Sequence, residues 1–159
     1  MEYFFNFEKL AYLKGERPPG CILCLVRDKD PRVVNMMVYH DEYMGISLNL
    51  YPYNPGHLLI FPLRHVGDIR ELGDEERTAM DRTLDRALSV MDSLYSPAAY
   101  NIGFNMGRAA GASIDHLHLH IIPRYPTEIG IAELLAGKRV LVEDITLTRQ
   151  RLSDAFRES

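Results

Sequence analysis

The chain has 159 residues, enough for one domain with a real hydrophobic core. Its 18 Lys and Arg are outnumbered by 22 Asp and Glu, a formal net charge of −4. The basic residues are scattered, which argues against a nucleic-acid partner; a single phosphate pocket needs no global positive charge. No run of about 18 apolar residues is present, and MEYFFNFEKLAYLKG lacks the basic start and smooth apolar stretch of a signal peptide. A cytoplasmic protein without a membrane partner is therefore expected.

Residues 1–15 are rich in aromatics, and Phe7, Leu10 and Leu13 have the spacing of a short helix or arm packed on the domain. Arg17-Pro18-Pro19-Gly20 breaks it. Cys21-Ile22-Leu23-Cys24 follows as a C-x-x-C, which in a cytoplasmic chain points to metal ligation or redox chemistry rather than a structural disulfide. Val33 to Tyr39 and Met44 to Leu50 read as strands joined by a tight turn around Asp41-Glu42. Tyr51 to Gly56 is a loop with two prolines and a glycine, more suited to packing than to base stacking through Tyr51 or Tyr53. His57 to Pro62 is a further strand, with His65 just beyond. His40 belongs to no motif and is expected to be exposed.

Asp74 to Tyr95 is the clearest helix. Met80, Leu84, Ala87, Leu88, Met91, Leu94 and Tyr95 form its apolar stripe, three acids occupy the first turn, Gly73 is the cap region and Ser96-Pro97 ends it. Tyr100 to Asn105 is another strand. Met106 to Ser113 is a loop of small residues leading into Asp115-His116-Leu117-His118-Leu119-His120-Ile121-Ile122-Pro123-Arg124. Strict alternation makes this last stretch a strand. His116, His118 and His120 then share one face, and Leu117, Leu119 and Ile121 enter the core from the other. Beyond it, 131–135 read as a helix, Val140 to Val142 as a short strand, and Thr146 to Phe156 as a terminal helix with Leu147 and Leu152 inward. Mostly strands with one long helix between them suggest an α+β fold built on an antiparallel sheet.

Three histidines on one strand face suit two chemistries. One is metal binding, but the three span about 13 Å, and zinc–nitrogen bonds are about 2.0–2.1 Å. One ion therefore cannot hold the first and the last. The other is phosphoryl transfer, in which a neutral imidazole attacks phosphorus while a second histidine and the N–H groups of the glycine-rich loop stabilise the oxygens. Cys21 and Cys24 have the spacing of two thiolates on one tetrahedral ion. Which histidines would complete the set is open from the residues alone.

The stretch HLHLHII resembles the signature of the histidine-triad (HIT) family. The likeness runs from about Cys21 to Arg124 and includes NLYPYNPGHLLIFPLRHV and NIGFNMGRAAGAS. It implies one domain over 1–159, with the core at about 21–124, an aromatic arm at 1–20 and an extension at 125–159. The implied fold is an antiparallel sheet of about five strands with one long helix and short terminal helices.

The resemblance also implies roles. His118 would be the nucleophile toward the α-phosphate of a purine nucleotide, His120 a phosphate contact, and His57 the fourth active-site histidine. Asn49 would hold ribose hydroxyls, Asn105 phosphate or the leaving group, and Ser113 the α-phosphate. Cys21, Cys24, His65 and His116 would bind a structural zinc, leaving His118 and His120 for phosphate. Many relatives carry glutamine where this chain has Ala112, so that contact would fall to Arg108 or backbone; Arg124 is another possible phosphate contact. The implied activity is nucleotidyl hydrolysis or transfer, phosphorolysis included, on a dinucleoside polyphosphate. Phosphoramidate hydrolysis and a binding module with little turnover are the alternatives. A homodimer with sheets joined edge to edge is implied as well.

Overall fold

A computed structural model describes residues 2–3, 18–128, 138–139 and 143–159. The helix expected within 1–15, the one at 131–135 and the strand at 140–142 lie outside the described residues. Five strands, β1 (Met37–His40), β2 (Met44–Leu48), β3 (Leu58–Pro62), β4 (Ala99–Phe104) and β5 (Leu119–Arg124), form an antiparallel sheet in the order β1-β2-β3-β5-β4. The helices are α1 (Ile22–Arg27), α2 (Asp74–Tyr95) and α3 (Ile145–Glu158). Apart from this sheet, Glu2–Tyr3 pairs in parallel with Lys138–Arg139. The expected α+β arrangement of five strands and one long helix is present.

Register assigns the two faces of the sheet. Ile46 pairs with Ile60, Leu48 with Leu58, Leu58 with Ile121, and Ile60 with Leu119. These side chains share one face and join Ala79, Met80, Ala87, Val90 and Met91 of α2 in the core. Burying them supplies the main driving force, roughly 1.5–3 kcal/mol for each large aliphatic side chain. The alternate positions face the other way, where Leu59 pairs with His120 and Ser47 pairs with Leu59. A one-residue slip would exchange the two faces, so the aliphatic core fixes where the histidines go.

The turn at Asp41 is closed by its carboxylate, which accepts the N–H groups of Tyr43 and Met44 at 2.8 and 2.7 Å. At the start of α2 the Glu76 carboxylate accepts the Gly73 N–H and pairs with Arg64 at 2.7 Å. Ser96 ends α2 in the left-handed region, with φ 46°.

Several boundaries differ from the sequence reading. The first strand begins at Met37, because Asn35 turns the chain by accepting the Met37 N–H and donating to Val26 O. Cys21 caps a short helix, α1, that the breaker cluster concealed. β5 begins only at Leu119 and continues through Pro123 to Arg124. Pro123 fits because it lacks only an N–H, while its carbonyl accepts from Asn54. In α3, Thr148, Leu152 and Phe156 are inward at i, i+4 and i+8, whereas Leu147 is 64% exposed. Leu147 and Leu152 lie about 140° apart around a helix, so they cannot share its buried stripe.

Gly56 has φ +81°, and a Cβ there would lie 2.5 Å from Met91 Cε of α2. Gly56→Ala is expected to lower stability by about 1–3 kcal/mol, read as a lower urea midpoint at unchanged slope. An unchanged midpoint would show that the turn is not held against α2.

Candidate active site and metal centre

The face of the sheet opposite α2 carries the histidines. His57 precedes β3 and is fully buried, and His116 and His118 are 1% and 4% exposed. The histidine face is therefore covered. Only His120 lies within the paired strand; His116 and His118 approach it in the extended segment just before. Their alternation holds, but both sides of the segment are covered, the Leu117 side by the core and the His116 side by Phe61 and the cysteine knuckle.

His116 is bonded through three groups. Its Nε2–H donates to the Pro62 carbonyl at 2.8 Å. That leaves Nδ1 as a lone pair, 3.3 Å from Cys21 Sγ and 3.6 Å from Cys24 Sγ. Its own carbonyl accepts His118 Nδ1–H at 2.7 Å. His65 Nδ1 is 3.4 Å from Cys24 Sγ. The four ligand atoms of Cys21, Cys24, His65 and His116 all lie within 4.8 Å of one another.

A tetrahedral zinc with its usual bond lengths requires ligand–ligand edges of about 3.3–3.8 Å, and the three sulfur–nitrogen contacts, at 3.3, 3.4 and 3.6 Å, fall in that range. The donor set is right for zinc, and the Pro62 bond fixes the tautomer in which His116 Nδ1 faces the thiols. These residues can hold a zinc ion. Burial, and next the adjacent Cys21, push the Cys24 thiol up to about 11, so Cys24 stays protonated until a cation compensates its charge. His65 is the exposed member of the set.

The other three imidazoles form a second cluster. The Tyr53 N–H points at His57 Nδ1 from 3.1 Å, so the proton of the neutral ring sits on Nε2. This Nε2–H donates to His120 Nδ1 at 2.9 Å. The remaining proton of His120 is therefore on Nε2, which has no hydrogen-bond partner among the described residues. His118 and His120 meet edge to face, with ring centroids 4.8 Å apart. Burial, reinforced by His120 and His118, lowers His57 to about 3; burial and then His118 lower His120 to about 4. Both rings are neutral near pH 7.

The remaining candidates flank this cluster. The Asn49 amide nitrogen lies 3.3 and 3.4 Å from the two ring nitrogens of His57, while its oxygen accepts the Tyr51 N–H. Asn49 thus borders the cluster from the β2–β3 loop. Asn105 lies beside Gly111, whose φ is +90°, in the loop that ends at the exposed Ser113. Ala112 is buried. Arg108 is exposed and 3.6 Å from Asp115. Arg124 is engaged with Glu128 at 2.6 Å and Asn101 at 3.1 Å, not with the histidines. His40 is exposed, as expected. Sequence reading missed Asn54 and Glu128, which hold the His57 turn; a buried Asn between two prolines was the available signal for the first.

The depressed histidines make stability depend on pH. The unfolded chain takes up protons at these positions below about 6.5, while the folded chain refuses them until about 4 at His120 and about 3 at His57. The unfolded state binds more protons in that window, so stability is full above pH 6.5 and falls as the pH drops. Urea midpoints measured from pH 7.5 to 4.5 should decline, and His57→Gln should decline less steeply. Parallel curves would rule His57 out as a contributor.

A family model described as "HIT domain" matches residues 30–127. An AP-4-A phosphorylase of Mycobacterium tuberculosis is 36% identical over 119 residues, which are 74% of this chain and 61% of that protein. The chain thus spans about three fifths of that relative's length. An uncharacterised HIT-like protein of Methanocaldococcus jannaschii is 30% identical over 125 residues, covering 79% of this chain and 95% of that one. Among solved structures, a zinc-bound histidine triad family protein of Mycobacterium smegmatis superposes with a TM-score of 0.71 at 23% identity, over 87% of this chain and 94% of that one. With the matched residues making up more than half of its length and the triad seated on its sheet, the chain belongs to the HIT family.

Proposed function

We propose that this protein is a nucleotidyl hydrolase or transferase acting at the α-phosphate of a purine nucleotide derivative, a diadenosine polyphosphate in the first instance, through a covalent nucleotidyl-His118. The observation that carries this reading is the tautomer of His118. Its Nδ1–H is committed to the His116 carbonyl, so in the neutral ring the lone pair is on Nε2, which is the nucleophile. Nε2 attacks the α-phosphorus, a P–N bond forms, and the P–O bond to the leaving phosphate breaks. Water or inorganic phosphate then displaces the imidazole. His120 Nε2–H is a donor for the phosphoryl oxygens or the leaving group. His57 keeps His120 in that tautomer. Asn49 is assigned to the ribose, and Asn105 and Ser113 to the phosphates.

The relatives' names support this substrate class: one is an AP-4-A phosphorylase, and a Schizosaccharomyces pombe protein 31% identical over 103 residues is an asymmetrical bis(5'-nucleosyl)-tetraphosphatase. Ala112 offers the leaving group no side-chain donor, which leaves Arg108 and loop N–H groups for that duty.

The metal is assigned as structural zinc held by Cys21, Cys24, His65 and His116. Four protein ligands close its coordination, so it ties the knuckle at α1 to the triad segment rather than meeting substrate. The chain is further assigned as a homodimer. Among the described residues, β4 has a neighbour on one side only. Its sequence AYNIGF contains no charge or proline to discourage pairing, and Ile102 is 44% exposed. A cytoplasmic setting is in keeping with two free cysteines and with no helix among the described residues being long and apolar enough to cross a membrane.

His118→Ala is expected to lose turnover of diadenosine tetraphosphate by at least about a thousandfold, together with the acid-labile nucleotidyl adduct seen by mass spectrometry after quench. Unchanged turnover would sink the reading. In the wild type, ADP that appears only with added inorganic phosphate marks a phosphorylase. For the metal, one zinc per chain is expected, and its removal by chelator should lower Tm by about 10 °C or more; Cys24→Ser should purify without zinc and with the same loss. A zinc-depleted protein of unchanged Tm would refute the structural assignment.

A further inference from the structure

We infer that Asn54 and Glu128 are positioning residues that set the tautomer of His57, and through it the proton carried by His120. This rests on the catalytic reading above, but its central claim concerns a proton position that can be observed without substrate.

A neutral imidazole has one N–H, and which nitrogen bears it is decided by the partners of the other. For His57 the deciding partner is a backbone group, the Tyr53 N–H at 3.1 Å from Nδ1; the Asn49 amide nitrogen is nearly equidistant from the two ring nitrogens, at 3.3 and 3.4 Å, and favours neither. From there the bonds run one way, His57 Nε2–H to His120 Nδ1 at 2.9 Å, leaving the His120 proton on Nε2. If the Tyr53 amide moved away, Nδ1 could hold the proton. His57 Nε2 would then be an acceptor facing His120 Nδ1, and the His120 proton would shift to the nitrogen between the rings. The donor at His120 Nε2 would be lost with no heavy atom of His120 having to move.

The Tyr53 amide sits in a loop between Pro52 and Pro55, which has no ladder of its own. Asn54 fastens it. This residue is 5% exposed, and its Nδ2 donates to the Pro123 carbonyl at 2.7 Å and to Glu128 Oε1 at 3.3 Å. Its carbonyl accepts the His57 N–H at 3.2 Å. Glu128 gathers the end of β5: its carboxylate takes both Arg124 guanidinium contacts, at 2.7 and 2.6 Å, and the Tyr125 N–H at 2.8 Å. Tyr125 returns its hydroxyl to the Pro55 carbonyl at 2.9 Å. Pro123 is three residues past His120, so the clamp grips the strand that carries His120 and the loop that carries the Tyr53 amide. It fixes one relative to the other. Neither Asn54 nor Glu128 touches His118 or His120 in any bond described, so their effect on chemistry is indirect.

The test uses the full-length protein labelled with ¹⁵N-histidine. In the wild type, the His57 ring is expected to show a protonated Nε2 and an unprotonated Nδ1. In Asn54→Ala and in Glu128→Ala, the His57 signals should move toward a mixture of the two tautomers, and those of His120 should follow. With diadenosine tetraphosphate, kcat should fall between about tenfold and a hundredfold while KM stays within about twofold. Glu128→Gln, which keeps an acceptor oxygen in place, should retain most of the lost rate. Ring signals unchanged in a folded Asn54→Ala or Glu128→Ala would overturn the proposal, whatever happens to Tm. Glu128→Ala removes a side chain at the edge of the clamp, so the test survives if Asn54→Ala does not fold. Shifted tautomers with no turnover even in the wild type would leave the clamp standing and remove the catalytic reading instead.

Discussion

His116 is tied to three parts of the chain at once, and the site depends on that arrangement. Its Nε2–H holds the Pro62 carbonyl at the end of β3, its Nδ1 faces the thiols of Cys21 and Cys24, and its carbonyl takes the Nδ1–H of His118. Each bond decides the next. The Pro62 contact settles which nitrogen faces the thiols, and the backbone position that results settles which nitrogen of His118 is free. A cysteine knuckle some ninety positions earlier in the sequence is thereby connected to the proposed nucleophile through a single residue.

The same logic runs through the second cluster. Buried imidazoles this close to each other cannot all be charged, because each charge would be desolvated and would repel its neighbours. Neutrality is what allows them to pack. A neutral ring has a direction, with a donor at one end and an acceptor at the other, so a row of such rings can hand a proton position from one to the next. In this molecule the direction begins at a backbone amide in a proline-bounded loop, and the loop is held by residues at the far end of β5. Chemistry at one end of the row thus depends on packing at the other.

The scaffold keeps these parts aligned through one register. Ile46, Ile60, Leu119 and Ile121 must face α2 for the core to close. Period two in the strands then puts Leu59 and His120 on the opposite face, with His120 paired to Gly103. The C-terminal helix adds to that core through Leu152 and Phe156, and Arg86 reaches from α2 to the last carbonyls of α3. The part of the chain beyond the family match therefore contributes to the fold itself.

Much of this was legible in the residues. The long helix, the antiparallel sheet, the alternation of the triad and the C-x-x-C follow from periodicities and spacings that belong to local sequence; the count of about five strands came with the family resemblance. So does the argument that one ion cannot hold all three histidines, since it needs only the rise per residue of a strand. Other features were decided by tertiary structure. His116 and His118 are buried rather than displayed, and it is the knuckle and Phe61, from distant parts of the chain, that cover His116. Leu147 faces solvent because α3 docks by the Thr148–Leu152–Phe156 stripe. The tautomers of His57, His118 and His120 depend on carbonyls and amides brought near by folding. Sequence supplies the groups and their order along the chain; only the folded register fixes which nitrogen meets which partner, and hence where each proton lies.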